Sequence, residues 1–356
     1  MQNPFYHVTL LFFLLLNVLA PVLPAQTDEP SASSTILVMD NNQLYEWDTE
    51  TLSRKHLTEV STLLPEPVHD MFSPAPIIIR PKVTPDLEVF YGIEAEGRDK
   101  RNLPIETRLI EISLTSAEKK VLLDRPGIYE IVLSPDSRHI FVAYYVGEFG
   151  VSRKEACILS LTNGICQPAG LDMQLDEGRW INNDSYLVII RQQFHLVSLD
   201  GSHRAYPENE EWFIGTALVV PGTQRVLVSA SKKNRDENEP PQFLDFDPQT
   251  GSLQSLYSSG DDIFGTTGDW EVSPDSRYMS YIDNTKAVVV EMETGLRIAE
   301  VEVGRVTQTA WLPDSLNYVL KIKGFNDAPV NIVRIDLTTG QLVHIQEGSP
   351  GFFIVP

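Results

Sequence analysis

Three groups of side chains in this sequence are of types that could do chemistry. Asp261, Asp262 and Asp269 stand close together and offer the oxygen ligands a hard cation such as calcium takes. They lack the alternating register of a calcium loop, so they read as an exposed acidic loop and no metal site is expected. Cys157 and Cys166 are the only two cysteines, too few for a zinc cluster. They flank a hairpin around Thr162-Asn163-Gly164. If Asn163-Gly164 is a two-residue turn, Leu161 rather than Cys157 lies opposite Cys166. A disulfide then needs an irregular turn that brings the α-carbons within about 7 Å. The third group is basic: Arg98, Lys100, Arg101, Arg153, Lys154, Lys232, Lys233 and Arg235 supply 8 of the 28 Lys and Arg residues from three short segments. Charge clustered on segments of this kind does recognition rather than catalysis.

Catalytic patterns are missing. There is no Gly-x-Ser-x-Gly pentapeptide, which a serine nucleophile on a strand-to-helix elbow would require. No His-x-x-x-His pair occurs, and His56, His69, His139, His195, His203 and His344 are scattered along the chain. No catalytic residue and no cofactor is assigned from the sequence. The net charge of −21 argues against nucleic acid, whose phosphates need Lys and Arg, and against anionic membrane surfaces.

Residues 1–25 contain no Asp, Glu, Lys or Arg, and residues 8–19 form an apolar run. A run of about a dozen apolar residues followed by small ones reads as a secretory signal. It is short of the roughly 20 residues a helical span needs, so no membrane span is expected after cleavage. Cleavage is expected after Ala25, and residues 26–34 read as a flexible linker. Residues 35–356 then form one domain, exported to a periplasm, cell envelope or medium.

The elements that must position any site are short strands. A polar turn between two apolar runs recurs six times. It is nearly identical at Ser134-Pro135-Asp136-Ser137 and Ser273-Pro274-Asp275-Ser276. Looser copies stand at Thr84-Pro85-Asp86, Asn182-Asn183-Asp184-Ser185, Pro221-Gly222-Thr223 and Leu312-Pro313-Asp314-Ser315. The intervals between equivalent positions are 50, 48, 38, 53 and 39 residues. A period in the forties built of short strands is a β-propeller signature. Second turns such as Asp247-Pro248-Gln249-Thr250-Gly251 and Glu293-Thr294-Gly295 mark the hairpin between the third and fourth strands of a blade. Seven such hairpins can be counted. The N-terminal one, with strands near 35–39, 43–47 and 55–58, lacks a first strand, and residues 351–355 form a lone strand at the other end. The two fragments complete each other. A single all-β propeller of seven four-stranded blades is therefore predicted, with N- and C-terminal strands closing the last blade; six blades is the alternative.

The Ser-Pro-Asp turns, preceded by Trp270, Trp311 and more loosely Trp180 and followed by β-branched strands and Asp-x-x-Thr-Gly hairpins, resemble the TolB-type, WD-repeat-like propeller repeat over residues 35–355. The sequence departs from that family in one consistent way: Ser137, Ser276 and Ser315 stand where Gly is usual. The resemblance implies an extracytoplasmic interaction platform, often for protein, and carries over no catalytic residue.

In such a blade the Pro-Asp and Thr-Gly turns share one face of the disc. The opposite face carries the second-to-third loops and the connections between blades, here read as long and irregular: 57–82, 94–106, 145–156, 166–179 and 231–241. Function concentrates on variable loops held by a rigid scaffold. The basic residues named above lie in these loops, and acidic ones (Asp176, Glu177, Asp261, Asp262, Asp269) lie in the inter-blade connections, giving an acidic mouth with mixed-charge arms. The reading is an exported, non-catalytic binding or scaffold propeller that takes a protein or peptide partner on this face. The alternative is a lactonase-like or lyase-like propeller enzyme with an axial metal or acid–base site. Mature protein isolated from cells is expected to begin at Gln26 on N-terminal sequencing; retention of Met1 in a membrane fraction would overturn the leader assignment.

Overall fold

The strands of this chain bury both faces, so their apolar residues run continuously instead of alternating. Ile36, Leu37, Val38 and Met39 are all buried. Leu37 and Met39 pack against Ile78 and Phe90, whereas Ile36 and Val38 pack on the other side against Leu312 and Val319. A sheet of this kind has to be sandwiched between two others, and the chain meets that requirement by forming a ring.

The computed structural model describes residues 34–41, 43–65, 77–98, 104–146, 153–171, 177–234, 242–255, 270–283, 285–323, 330–347 and 352–355. The expected leader and nearly all of the linker lie outside them. Strands β1 (Thr35–Asp40), β2 (Gln43–Asp48) and β3 (Arg54–His56) come first, followed by a single helical turn, α1 (Thr58–Ser61). Blade 1 comprises β4 (Ile77–Val83), β5 (Val89–Arg98), β6 (Pro104–Ser113) and β7 (Lys119–Asp124). Blade 2 comprises β8 (Ile128–Leu133), β9 (His139–Val146), β10 (Arg153–Ser160) and β11 (Cys166–Pro168). Blade 3 holds β12 (Glu177–Trp180), β13 (Ser185–Ile190), β14 (Gln193–Ser198) and β15 (His203–Ala205). Blade 4 holds β16 (Trp212–Val219), β17 (Val226–Lys232), β18 (Gln242–Phe246) and β19 (Leu253–Ser255). Blade 5 has β20 (Glu271–Val272), β21 (Tyr278–Asp283), β22 (Lys286–Glu291) and β23 (Arg297–Glu302). Blade 6 has β24 (Arg305–Trp311), β25 (Asn317–Lys323), β26 (Val330–Asp336) and β27 (Gln341–Glu347), and β28 (Phe352–Ile354) ends the chain.

Blade 7 has the order β28-β1-β2-β3, so the two ends of the chain share one antiparallel sheet, with Met39 opposite Phe352 and Leu37 opposite Ile354. The fold is the expected seven-bladed propeller. Seven apolar clusters fill the seven interfaces between neighbouring blades, including the one between blades 6 and 7. The tryptophans that precede the Pro-Asp turns wedge these interfaces. Trp180 Nε1 donates to the Val132 carbonyl of blade 2 at 2.9 Å, and Trp311 Nε1 donates to Ser280 Oγ of blade 5 at 3.0 Å.

The Ser-Pro-Asp turns are tied by their own side chains. Ser134 Oγ donates to Asp136 Oδ1 at 2.7 Å and accepts the His139 N–H at 2.9 Å. The residue after Asp is left-handed, with φ of 56° at Ser137, 62° at Ser276 and 59° at Ser315, which is why Gly suits the position. Two of these serines use their hydroxyls between blades: Ser276 Oγ donates to the Pro221 carbonyl at 2.7 Å, and Ser315 Oγ accepts the Asp275 N–H at 2.9 Å. A hydrogen bond that Gly could not make offsets the backbone strain.

Two expectations need correction and one open question is answered. Residues 77–82, placed in a loop by the sequence reading, belong to the innermost strand β4; Arg80-Pro81 interrupts the apolar pattern there because it is a bulge. Second-to-third loops are not long throughout, since β1–β2, β13–β14 and β21–β22 are joined by two-residue turns. In the second of these Arg191 and Gln192 take φ of 48° and 69°, a mirror-type turn built without Gly and so invisible to composition. The cysteines, whose pairing the sequence left open, are bonded. The Ser160 N–H donates to the Ile165 carbonyl and the Gly164 N–H to the Ser160 carbonyl. The turn is therefore longer than Asn163-Gly164, Leu159 pairs with Cys166, and Cys157 stands diagonally from Cys166 with α-carbons 5.6 Å apart.

One side chain of blade 6 adds to the strand pairing that closes the ring. Gln308, in β24 of blade 6, donates through Nε2 to the Phe353 carbonyl and accepts the Phe353 N–H at 3.2 Å. Gln308→Ala leaves both backbone groups of a buried residue without that partner, an expected loss of about 2–4 kcal/mol in a denaturant melt. Amide exchange should accelerate first at Phe353 and Ile354.

Candidate functional site

The innermost strands of blades 1 to 6, together with Val355 just past the closing strand, line an axial channel of about 1020 Å³. Bulges shape it. In β8 Tyr129 is the extra residue, in β16 Gly215 and Thr216 stand opposite Ser229, and in β24 the extra residue is Thr307. In β4, Arg80 and Pro81 stand opposite Gly92, and Arg80 takes a φ of +51°. A left-handed non-Gly residue costs of order 1–3 kcal/mol. Pro, which has no N–H to give a ladder, is tolerated at a bulge on an edge strand. Ile78 and Val83, five positions apart, consequently enter the same cluster. Arg80, Tyr129, Thr216 and Thr307 all line the channel, as expected of bulges that re-aim side chains.

Five charged residues face this space: Arg80, Lys82, Glu130, Arg179 and Glu271. Arg80 Nε lies 3.4 Å from Glu130 Oε2. Glu271 Oε1 accepts from Thr309 Oγ1 at 2.8 Å, and Arg179 Nη1 donates to the Gly178 carbonyl at 2.9 Å. Lys82 is half-buried and makes no hydrogen bond or ion pair among the described residues. Burial pushes its ammonium below the usual lysine range; Glu130 and Glu271 pull it back up, while Arg179 and Arg80 push it further down. Elsewhere in the lining the Tyr129 hydroxyl is buried without a hydrogen-bond partner among the described residues, and burial raises its pKa, with Tyr145 and Glu130 adding to the shift. Three cations against two carboxylates make the described channel charges net positive, so the acidic mouth expected from sequence does not extend into it.

None of the sequence-derived binding residues lines the channel, and the four whose side chains are described fall in two pairs. Arg153 Nη2 lies 2.5 Å from Glu155 Oε1, and Lys154 Nζ sits 5.3 Å from the Tyr129 ring and 5.9 Å from that of Tyr145. Lys233 Nζ pairs with Glu208 Oε1 at 3.0 Å and lies 5.6 Å from the half-exposed Phe213 ring, while Lys232 Nζ lies 5.8 Å from Trp212. Arg98 ends β5 and Glu177 begins β12, their side chains outside the described set. Lys100, Arg101, Arg235, Asp176, Asp261, Asp262 and Asp269 lie outside the described residues. Among the described residues no three His, Cys, Asp or Glu side chains come together closely enough to hold a metal ion. The channel residues themselves were missed by motif reasoning. The available signal was a charge inside the first strand of a repeat, as in Ile79-Arg80-Pro81-Lys82-Val83.

No protein-family profile matches the chain, and no curated protein sequence matches it. Solved structures share its fold at low identity. An oligogalacturonate lyase in complex with manganese matches with a TM-score of 0.59 at 13% identity, over 87% of this chain and 83% of that one. The β-propeller domain of the Trilobed protease from Pyrococcus furiosus gives 0.56 at 10%, over 85% and 86%. TolB from Acinetobacter baumannii gives 0.47 at 14%, over 90% of this chain and 65% of TolB, so the chain spans less than two thirds of that protein. The similarity is one of propeller architecture.

The channel's charge imbalance has a measurable cost. Because the folded-state pKa of Lys82 lies below its ordinary 10.5, the native state sheds this proton first and stability rises with pH between the two values. Lys82→Met removes the desolvated charge. Its melting temperature at pH 7 is expected to exceed that of the unsubstituted protein by about 2–4 °C, and the gap should narrow as pH approaches 10.

Proposed function

We propose that this protein is an exported, non-catalytic binding propeller that takes a protein or peptide partner on its variable-loop face. The observation that carries this reading is the convergence of six innermost strands, four of them bulged, on a channel whose early lining residues (Tyr129, Glu271, Thr307) sit toward the loop face. A closed ring gives such a face rigidity without any covalent frame, the condition under which loops serve recognition. Export is supported by the apolar N-terminal run and by the Cys157–Cys166 bond, since disulfides persist in oxidising compartments.

A second reading, a lyase-like or hydrolase-like propeller enzyme, has one observation in its favour: Lys82, Glu130 and Glu271 line the same channel, with Lys82 depressed toward the range of a general base. It would require turnover that Lys82→Met abolishes.

The binding reading is tested by capture from the native envelope fraction followed by mass spectrometry. Replacing Lys232, Lys233 and Arg235 by Glu should weaken capture of an anionic partner, by an amount that shrinks as salt rises. Since Lys233 pairs with Glu208, a stability cost of about 1 kcal/mol is expected alongside. Arg138→Glu with Arg277→Glu on the short-turn face is the control. Equal loss from both sets, or none from the loop set, would rule this face out as an electrostatic docking site.

A further inference from the structure

The channel holds a feature that binding at the rim does not use. Lys82 presents an ammonium group to enclosed space without a carboxylate partner, while the nearby Arg80 guanidinium is already paired with Glu130. A desolvated charge of this kind destabilises the fold, and functional sites are where such costs are retained. The five charges sum to one excess positive unit, so one carboxylate neutralises the set. A dianion such as phosphate would exceed it and meet Glu130 and Glu271. The remaining wall mixes polar side chains, among them Thr216, Thr307 and Gln308, with apolar ones such as Val132, Phe141 and Val272. The volume stands at the upper end of small-ligand pockets, which run to roughly 1,000 Å³.

We propose that the axial channel is a carboxylate-binding site in which Lys82, flanked by Arg80 and Arg179, holds a single carboxylate of a peptide segment whose neighbouring apolar side chain rests on the channel wall. The inference deepens the binding reading above and rests on it. A charge-assisted hydrogen bond from Nζ to the carboxylate replaces water around both groups. The shared chemistry is the carboxylate; a chain terminus and an acidic side chain are its two sources.

Calorimetric titration of the full mature protein tests this with N-acetyl-phenylalanine, its amide, N-acetyl-phenylalanyl-glutamic acid α-amide (side-chain carboxylate only), glucuronate and inorganic phosphate. The free acid or the glutamyl α-amide should saturate with a Kd at or below about 1 mM, and which one does so identifies the source. The neutral amide and phosphate should bind at least tenfold more weakly, as should the free acid to Lys82→Met, while Lys82→Arg should retain most of the affinity. Equal binding of acid and amide, no saturation by either carboxylate peptide, or unchanged affinity in a folded Lys82→Met protein would overturn the site. Tighter binding of glucuronate would overturn its assignment to a peptide. The Lys232, Lys233 and Arg235 reversal should leave acid binding within twofold. Failure of the rim reading therefore leaves the carboxylate titration intact, and failure of the channel proposal leaves envelope capture intact.

Discussion

Burial of both faces of every blade is the constraint on which the remainder of this structure depends. A sheet whose strands read Ile-Leu-Val-Met on consecutive positions cannot stand with one face in water. Each blade must therefore find two neighbours, and a linear row of blades would leave two apolar faces open at its ends. Closure removes both at once. It does so by pairing Phe352–Ile354 with Thr35–Asp40, strands more than three hundred residues apart in the chain. Loop-closure entropy grows only logarithmically, about 0.6 kcal/mol for each doubling of length, so the distance itself is a minor cost beside the interface it completes. The two hydrogen bonds from Gln308 then join the terminal strand to blade 6, on the side where no strand pairing exists.

The same need for blade-to-blade contact explains details that look arbitrary one at a time. A tryptophan before a Pro-Asp turn carries an indole N–H that reaches the preceding blade, to a backbone carbonyl from Trp180 and to Ser280 from Trp311. Serine replaces glycine after Asp in the turn, and at Ser276 and Ser315 the hydroxyl spans to the previous blade's turn. Ser137 shares the left-handed conformation but makes no such bond among the described residues, so the substitution answers a neighbour only on one arc of the ring. The turn face is thus bonded as a surface, which leaves the opposite face for loops of variable length.

What the sequence made legible follows from which forces are local. The Pro-Asp turns are specified within five residues by a Ser hydroxyl, a Pro φ and an Asp acceptor, so their positions, the blade count and the closing strand could all be read. Bulges are specified by the partner strand. Nothing around Tyr129 or Thr307 announces an extra residue until β9 and β25 are laid alongside, so the channel lining stayed hidden. Arg80-Pro81 was visible but pointed the wrong way, because Pro in an apolar run reads as a loop. The cysteine pair stayed open for a related reason: Asn-Gly suggests a two-residue turn, whereas the ladder closes at Ser160 and Ile165.

The charge pattern sets how a ligand could reach the axis. A chain of net charge −21 repels anions at long range, yet the channel inside it carries three cations against two carboxylates. At physiological ionic strength the screening length is about 8 Å, so the cations at the axis are felt only by a group already at the mouth. A freely diffusing anion gains no steering from such an arrangement. A carboxylate carried on a larger partner does better, because contacts at the rim supply the encounter and hold the segment at high local concentration while its tip enters the channel. The cations at Lys154 and Lys233 sit beside aromatic rings at that rim, and Lys154 lies over the very tyrosine that lines the channel wall. Rim and channel are therefore joined through Tyr129, and a partner ordered by the first would meet the second without further rearrangement.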